Sequence, residues 1–402
     1  MGELTSVEQG LVERACAEPM LHRVKLWAEI NSGSTNLPGL ALMAGTLADA
    51  FSVLPGELRL VDADPATAVD PAGRQLPVKH GQNLHLVVRP QAPVQLLLTG
   101  HLDTVYPADH PFQSLIWKEE GVLGGPGVAD MKGGLSVMLA ALSAIEGSAG
   151  AERIGYEVVI NSDEEVGSPG SAALIAQAAR NKRAALTYEP AALPDGTLAG
   201  ARPGSGNFSL AVTGRSAHAG RNPEDGRNAI IAAAELALRL DALRRPGLSV
   251  NVARIDGGGP NNVVPDQAVL RVNLRPDDAK LQALAQASIA TAVAEIGSKH
   301  EVGILQHGGF GRPPKPMTPA AEQLLALVRS CGEDLGQPIS WQASGGVCDG
   351  NNIAACGVPV VDTMGVRGGK IHSEEEYLIV DSLAERAALS ALTIMRLGRE
   401  AA

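Results

Sequence analysis

The spacing of apolar and polar positions changes character along this chain. "VQLLLTG" (94–100), "YEVVIN" (156–161), "AALTYE" (184–189) and "VPVVDTM" (358–364) are short apolar runs, each closing in a polar or glycine-containing turn. Strands buried on both faces read this way, because neither side of the pleat meets water. Between them lie Ala- and Leu-rich helical patterns such as "GGLSVMLAALSAIEG" (133–147). Ser168 followed by Pro169 predicts an N-cap and first helical residue for a helix ending near Arg180. Strands alternating with helices predict an α/β layer around a largely parallel sheet. The opening region predicts helices, broken by "NSGST" at 31–35.

The middle of the chain alternates instead. "NFSLAVTG" (207–214) precedes the helical "NAIIAAAELALRLDALR" (228–244), followed by the alternating "LSVNVARIDG" (248–257) and "AVLRVNLR" (268–275). A second helix is expected after Asp277, and "EVGILQ" (301–306) closes the set. That order, βαββαβ, predicts a ferredoxin-like unit over 206–311, inserted into a body formed by 1–205 and 312–402.

Composition narrows the class. With 402 residues, 45% of them hydrophobic and only 3% aromatic, the cores must be built mainly from Ala, Leu, Val and Ile. A net charge of −11 without a basic cluster argues against nucleic acid or an anionic membrane as partner. Cys16, Cys331, Cys348 and Cys356 form no CxxC pair, so free thiols in a reducing compartment are expected. The first residues lack a basic stretch followed by an apolar one, and no run spans a bilayer, so a cytoplasmic protein is expected.

The chemistry gathers at the strand ends. "NSDEEVGSPGS" (161–171) sets Asp163, Glu164 and Glu165 side by side after an apolar strand. Adjacent carboxylates repel one another and resist burial, so such a triplet is ordinarily a solvated loop. Other residues change that reading. His101 and Asp103 lie two apart past the first run, facing one way in extended chain. This matches a metal-ligating histidine whose far ring nitrogen is held by a carboxylate. Asp130 occupies the glycine-rich "GPGVADMKGG" before a helix, Glu189 ends "LTYE", and His372 follows the last strand in "GGKIHSEEEY". Ligands bind at that edge of open α/β sheets.

Together, "GHLDTV", "GPGVADMKGG", "NSDEEVGS", "YEP", "GRSAHAG", "NNVVP" and "HSEEEY" span nearly the whole chain. The chain thereby resembles the co-catalytic di-zinc peptidase and amidohydrolase family of glutamate carboxypeptidase, acetylornithine deacetylase, succinyl-diaminopimelate desuccinylase and aminoacylase. The resemblance implies that His101 and Glu189 hold one zinc, Glu165 and His372 a second, and that Asp130 bridges them. It implies two Zn2+ per chain, and nothing in the donor types excludes Mn2+ or Co2+. Glu165 is then committed to a metal, and Glu164 is left as the base that moves a proton from water to the leaving nitrogen.

The resemblance also makes the inserted unit a lid and dimerisation domain, implying a homodimer in which His218 reaches the partner subunit's active site. Arg275 would grip the substrate carboxylate, aided by Asn262 and Asn251, while Gly345, Gly346 and Gly368 would let backbone approach the ligand. The alternative for Arg275 is pairing with Asp277 or Asp278. The family often carries "GGGTDA" where this chain has "SGGVCDGNN" (344–352), and Cys348 is expected to be a small buried residue. The activity implied is hydrolysis of an amide in a small carboxylate-bearing peptide, glutamate carboxypeptidase-like. The alternatives are an N-acyl-amino-acid deacylase and a catalytically silent metal-binding scaffold.

Overall fold

The computed structural model describes residues 4–399. Its largest sheet has six strands, in the order Glu57–Val61, Asn83–Val88, Ile154–Asn161, Val94–His101, Ala184–Thr187, Val360–Val361. The last four pair in parallel; the first two add an antiparallel edge that the apolar runs alone did not announce.

The continuous apolar runs are explained by two helical layers. Leu96, Leu98, Val158 and Ile160 point into the main core, with the Gly134–Glu146 and Asp381–Arg399 helices. Leu97, Val159 and Ala185 point the other way, into a second core with Ile175 and Ile353. Successive residues thus serve opposite cores, so no polar face is needed. The Gly134–Glu146 helix is enclosed on almost every side, which fits its all-round apolar character.

A separate four-stranded antiparallel sheet, in the order Leu248–Gly257, Gln267–Pro276, Ser205–Thr213, Gly303–Arg312, occupies the middle of the chain. The helices Ala229–Asp241 and Ala279–His300 cover one face, burying Phe208, Leu210, Val250, Val272 and Leu274. A hairpin of the main body, Ala66–Val69 with Gln75–Val78, covers part of the other face. Val69 packs there on Ala211 and Val269, and its carbonyl accepts from Arg271 Nη2 at 2.8 Å.

The chain enters and leaves this unit side by side. Arg202 N donates to the Lys315 carbonyl, and Lys315 N to the Arg202 carbonyl, both at 2.9 Å. Both side chains then converge on the buried Asp362, which accepts from Arg202 Nε at 2.8 Å and pairs with Lys315 Nζ at 2.9 Å. Asn351 Nδ2 donates to the carbonyls of Pro203 and Pro313, at 2.8 and 2.7 Å.

One local expectation fails. The helix after the acidic triplet is Ala172–Ala178 with Ser171 at its N-cap, not a helix opened by Ser168 and Pro169. Ser168 has φ 57°, and its hydroxyl is tied to Asp349 at 2.6 Å, which removes it from capping duty. Tertiary hydrogen bonds outweigh the local capping preference here.

Candidate metal centre and active site

His101 is the last residue of its strand, and Glu189 follows the end of the parallel neighbour Ala184–Thr187. Asp130 lies in the kinked segment Val128–Gly133 that feeds the Gly134–Glu146 helix. Glu164 and Glu165 open the turn Glu164–Val166, beyond the end of Ile154–Asn161. His372 arrives from a loop with φ 61°, a left-handed conformation that a non-glycine residue adopts only when its surroundings impose it.

The two carboxylate oxygens of Asp130 face different imidazoles. Oδ1 is 3.1 Å from His101 Nε2, and Oδ2 is 3.3 Å from His372 Nε2. On the His101 side the next carboxylate is Glu189, at 3.8 Å; on the His372 side it is Glu165, at 3.1 Å. Within 4.8 Å the groups also overlap, Glu165 lying near His101 and Asp130, and Glu164 near His101 and Glu189. Which oxygen faces which nitrogen decides coordination, and the shorter contacts divide the cluster into two halves about Asp130.

The electrostatics of these groups fit cations. Burial would raise Asp130, but His101 and His372 outweigh it and hold its carboxyl well below the ordinary range. Burial depresses His101, yet Asp103, Asp130 and Glu189 hold it well above its usual value. His372 is pushed up to about 11 by Asp130 and Glu165. Burial, then the Asp130 charge, pushes Glu165 up to about 7 and raises Glu189. Buried carboxylates holding imidazoles protonated are what a divalent cation would displace, and the nitrogen and oxygen donors suit zinc, manganese or cobalt.

Asp103 faces the far ring nitrogen of His101 and has a second task. The main-chain carbonyl of Asp103, not its carboxylate, is the nearer partner of His101 Nδ1, at 3.0 Å against 3.4 Å. The carboxylate instead accepts from Ser34 Oγ at 2.7 Å and from the backbone N–H groups of Glu164 and Glu165 at 3.1 and 3.2 Å. Asp103 therefore sets the turn that presents both glutamates. Asp163, the first of the triplet, closes that turn by accepting from Gly170 N and Ser171 Oγ.

Among the described residues, no imidazole forms an ion pair with Glu164, although His101 lies within 4.8 Å of it. Its Oε1 accepts from Arg312 Nη2 at 2.7 Å. Burial pushes Glu164 well above its ordinary pKa, with Arg312 pulling the other way. Arg312 ends the Gly303–Arg312 strand and also bonds Ser168 and Asp349. The sequence reading missed it: an arginine in "GRPPKP" carries no local signal. It missed Glu376 as well, although "HSEEEY" placed it four residues past His372. Burial, then the Asp130 charge, pushes Glu376 up to about 7, opposed by N–H groups of the Asp130 loop.

A model of peptidase family M20/M25/M40 matches residues 97–396. The chain belongs to this peptidase family. Carboxypeptidase G2 of Pseudomonas sp. (strain RS-16) is 29% identical over 330 residues, covering 79% of this chain and 77% of that protein. Succinyl-diaminopimelate desuccinylase of Stenotrophomonas maltophilia (strain R551-3) is 30% identical over 328 residues, covering 76% and 84%. Among solved structures, the M20 metallo-carboxypeptidase Sso-CP2 of Sulfolobus solfataricus superposes with TM-score 0.71 at 16% identity, over 95% of this chain and 100% of that one. The YxeP protein of Bacillus subtilis, a dinuclear metal-binding peptidase of the M20 family, gives 0.63 at 14% identity, over 97% and 99%. M20 membership indicates a metal-dependent hydrolase, and the cluster around Asp130 is its candidate metal centre.

The remaining residues singled out from the M20-like motifs sit mostly on the antiparallel unit. His218 is exposed in a loop that bridges Val263, and the Asn262 carbonyl accepts from Ala219 N at 2.9 Å, so His218 and Asn262 share one loop pair. Asn251 is exposed on the edge strand Leu248–Gly257. Among the described residues, no hydrogen bond or ion pair joins these three to the metal-centre side chains of the same chain.

Arg275 reaches across to the main body, with Nη1 donating to the Gly345 carbonyl at 2.8 Å and Nε to Asn273 Oδ1 at 3.2 Å. Neither Asp277 nor Asp278 holds it; Asp278 caps the next helix through Leu281 N. Gly345 has open space around its α-carbon, and Gly346 donates to Ser344 Oγ. At Gly368 a Cβ would meet the Tyr377 carbonyl at 2.2 Å, so its strand pairing by itself already requires a glycine. Cys348 is buried at the N-cap of Asp349–Ala355, where burial pushes its thiol up.

Proposed function

We propose that the protein is a carboxypeptidase-type hydrolase that cleaves the amide of a small peptide bearing a free carboxylate. His101, Glu189 and Asp130 would hold one Zn2+; His372, Glu165 and Asp130 a second. The observation that carries this reading is the pair of Asp130 oxygens, each facing one imidazole backed by one further carboxylate. When bound, the cations would polarise the scissile carbonyl and make water easier to deprotonate.

The chain's own residues do the rest. Glu164, half-buried near His101 and Glu189, takes a proton from the attacking water and returns it to the leaving nitrogen. Asp103 fixes the Glu164–Glu165 turn. The antiparallel unit serves as a ferredoxin-like lid: Arg275 grips the substrate carboxylate through parallel N–H bonds, with Asn262 and Asn251 beside it. The lid also carries the contact of a homodimer, across which His218 donates to the developing oxyanion. The 30% identity to a desuccinylase supports a second reading, removal of an N-acyl group from an amino acid.

The test is an assay of zinc-loaded protein on matched panels of dipeptides and N-acyl amino acids, with metal analysis of the same sample. Two metals per chain and faster turnover of peptides with a C-terminal acidic residue are expected. Activity without stoichiometric metal would overturn the mechanism, and exclusive cleavage of N-acyl amino acids would replace the carboxypeptidase reading with the deacylase one.

A further inference from the structure

The loop that carries Asp130 is held from outside the metal centre. Gly127 has φ 71°, and the backbone at Asp130 and Met131 is non-helical, which turns several N–H groups of this kink outward. Three of them converge on one side chain. Glu376 Oε1 accepts from Ala129 N at 3.0 Å and Asp130 N at 3.1 Å, and Oε2 accepts from Gly127 N at 3.1 Å. Consecutive N–H groups in such a turn form a concavity that binds anions, and here a carboxylate of the same chain fills it.

The same carboxylate reaches the His372 loop. The Tyr106 hydroxyl lies 2.9 Å from Glu376 Oε2 and 2.8 Å from the Ser373 carbonyl, and its single proton serves both. Residue 373 adjoins His372. Glu376 itself is buried, at 1% exposure, and no cationic side chain is bonded to it among the described residues. Buried Lys132 feels its charge without bonding it, so the carboxylate is held by the three N–H groups and the Tyr106 hydroxyl, and ordinary packing would be served as well by an apolar residue of this size.

We propose that Glu376 is a positioning residue that locks the Asp130 loop to the His372 loop. Asp130 and His372 must meet the same metal, yet they arrive from separate segments, one of them in a left-handed conformation. Sites of this kind tolerate misplacement of only about 0.5 Å. Glu376 fixes the relative position of both loops through main-chain atoms and leaves their side chains free for the metal. The inference rests on the metal centre proposed above.

The test is titration of the metal-free protein with Co2+, following bound cobalt and its visible absorption band, for wild type and Glu376→Gln. Glutamine offers one acceptor oxygen to three N–H groups and turns an NH2 toward the others. The variant is expected to bind cobalt about 10- to 100-fold more weakly and to show an altered band. A staple that served stability alone would lower the thermal midpoint and leave cobalt affinity and band unchanged; that result overturns the proposal. If Glu376→Gln does not fold, Tyr106→Phe takes its place, removing one hydroxyl. It should weaken cobalt about 2- to 10-fold, the worth of one hydrogen bond, and wild-type affinity in it overturns the proposal. A wild type that binds no cobalt defeats the metal-centre reading itself, whereas equal binding of two ions by both proteins defeats only the role of Glu376.

Discussion

Arg312 donates to the Glu164 carboxylate at 2.7 Å, and both side chains are withdrawn from water. Arg312 ends a strand of the antiparallel unit, while Glu164 stands at the edge of the main sheet, so one ion pair joins the proposed base to the proposed lid. Breaking a buried pair leaves the surviving charge unmatched, at a cost of about 3–5 kcal/mol. Arg312→Ala is expected to lose stability of that order in chemical denaturation, together with most of kcat. Arg312→Lys should recover only part, because one ammonium cannot hold Glu164, Ser168 and Asp349 in the same fork. Full activity in Arg312→Ala would mean that Glu164 needs no partner.

The adjacent glutamates should separate cleanly. Glu164→Gln is expected to keep both metals and lose about 10²–10⁴ in kcat, since an amide cannot accept the proton. Glu165→Gln should instead weaken metal binding, because it removes the carboxylate 3.1 Å from His372. Metal content and turnover measured on the same samples check both.

At the connectors, Asp362 predicts a pH dependence. Burial raises its pKa, but Arg202 and Lys315 outweigh burial and hold it below the ordinary value. A depressed folded-state pKa gives stability that is present above about pH 4 and lost as pH falls through the folded value. Asp362→Asn should therefore be less stable at neutral pH, by about 3–5 kcal/mol, with the gap to wild type closing in strong acid. Parallel stability curves at all pH values would remove Asp362 from this role.

Arg275 is tested with a substrate and its carboxamide analogue. Wild type should prefer the acid, and Arg275→Ala should reduce that preference about 10- to 100-fold in kcat/KM, the worth of a charge-assisted pair. An unchanged ratio would leave Arg275 as a tie to the Gly345 carbonyl and nothing more.

For His218, the measurement is complementation. Glu164→Gln and His218→Ala chains should each be nearly inactive, the latter by about 10²–10³ in kcat. Mixed dimers should regain activity if the histidine works across the interface. Verified heterodimers without rescue would remove His218 from the partner's site.

Much of this protein was legible in its sequence because the signals were local. Continuous apolar runs marked strands packed between two helical layers, and the polar residue ending each run marked the sheet edge where His101 and Glu189 stand. The alternating segments of the middle region are strands with one face on helices. Position at the strand ends also drew out His101, Asp130, the Glu164–Glu165 pair, Glu189 and His372, and the family resemblance gave Glu165 rather than Glu164 to a metal. What it left undecided depended on residues far apart in the chain. Only the folded structure shows which Asp130 oxygen faces which imidazole, that Asp103 holds the Glu164–Glu165 turn, and that Ser168 abandons a helix cap for Asp349. Arg312, Glu376 and Asp362 were equally hidden. A lone charged residue in a loop carries no periodicity, and whether it meets water or a buried partner is settled by packing across more than a hundred residues of chain.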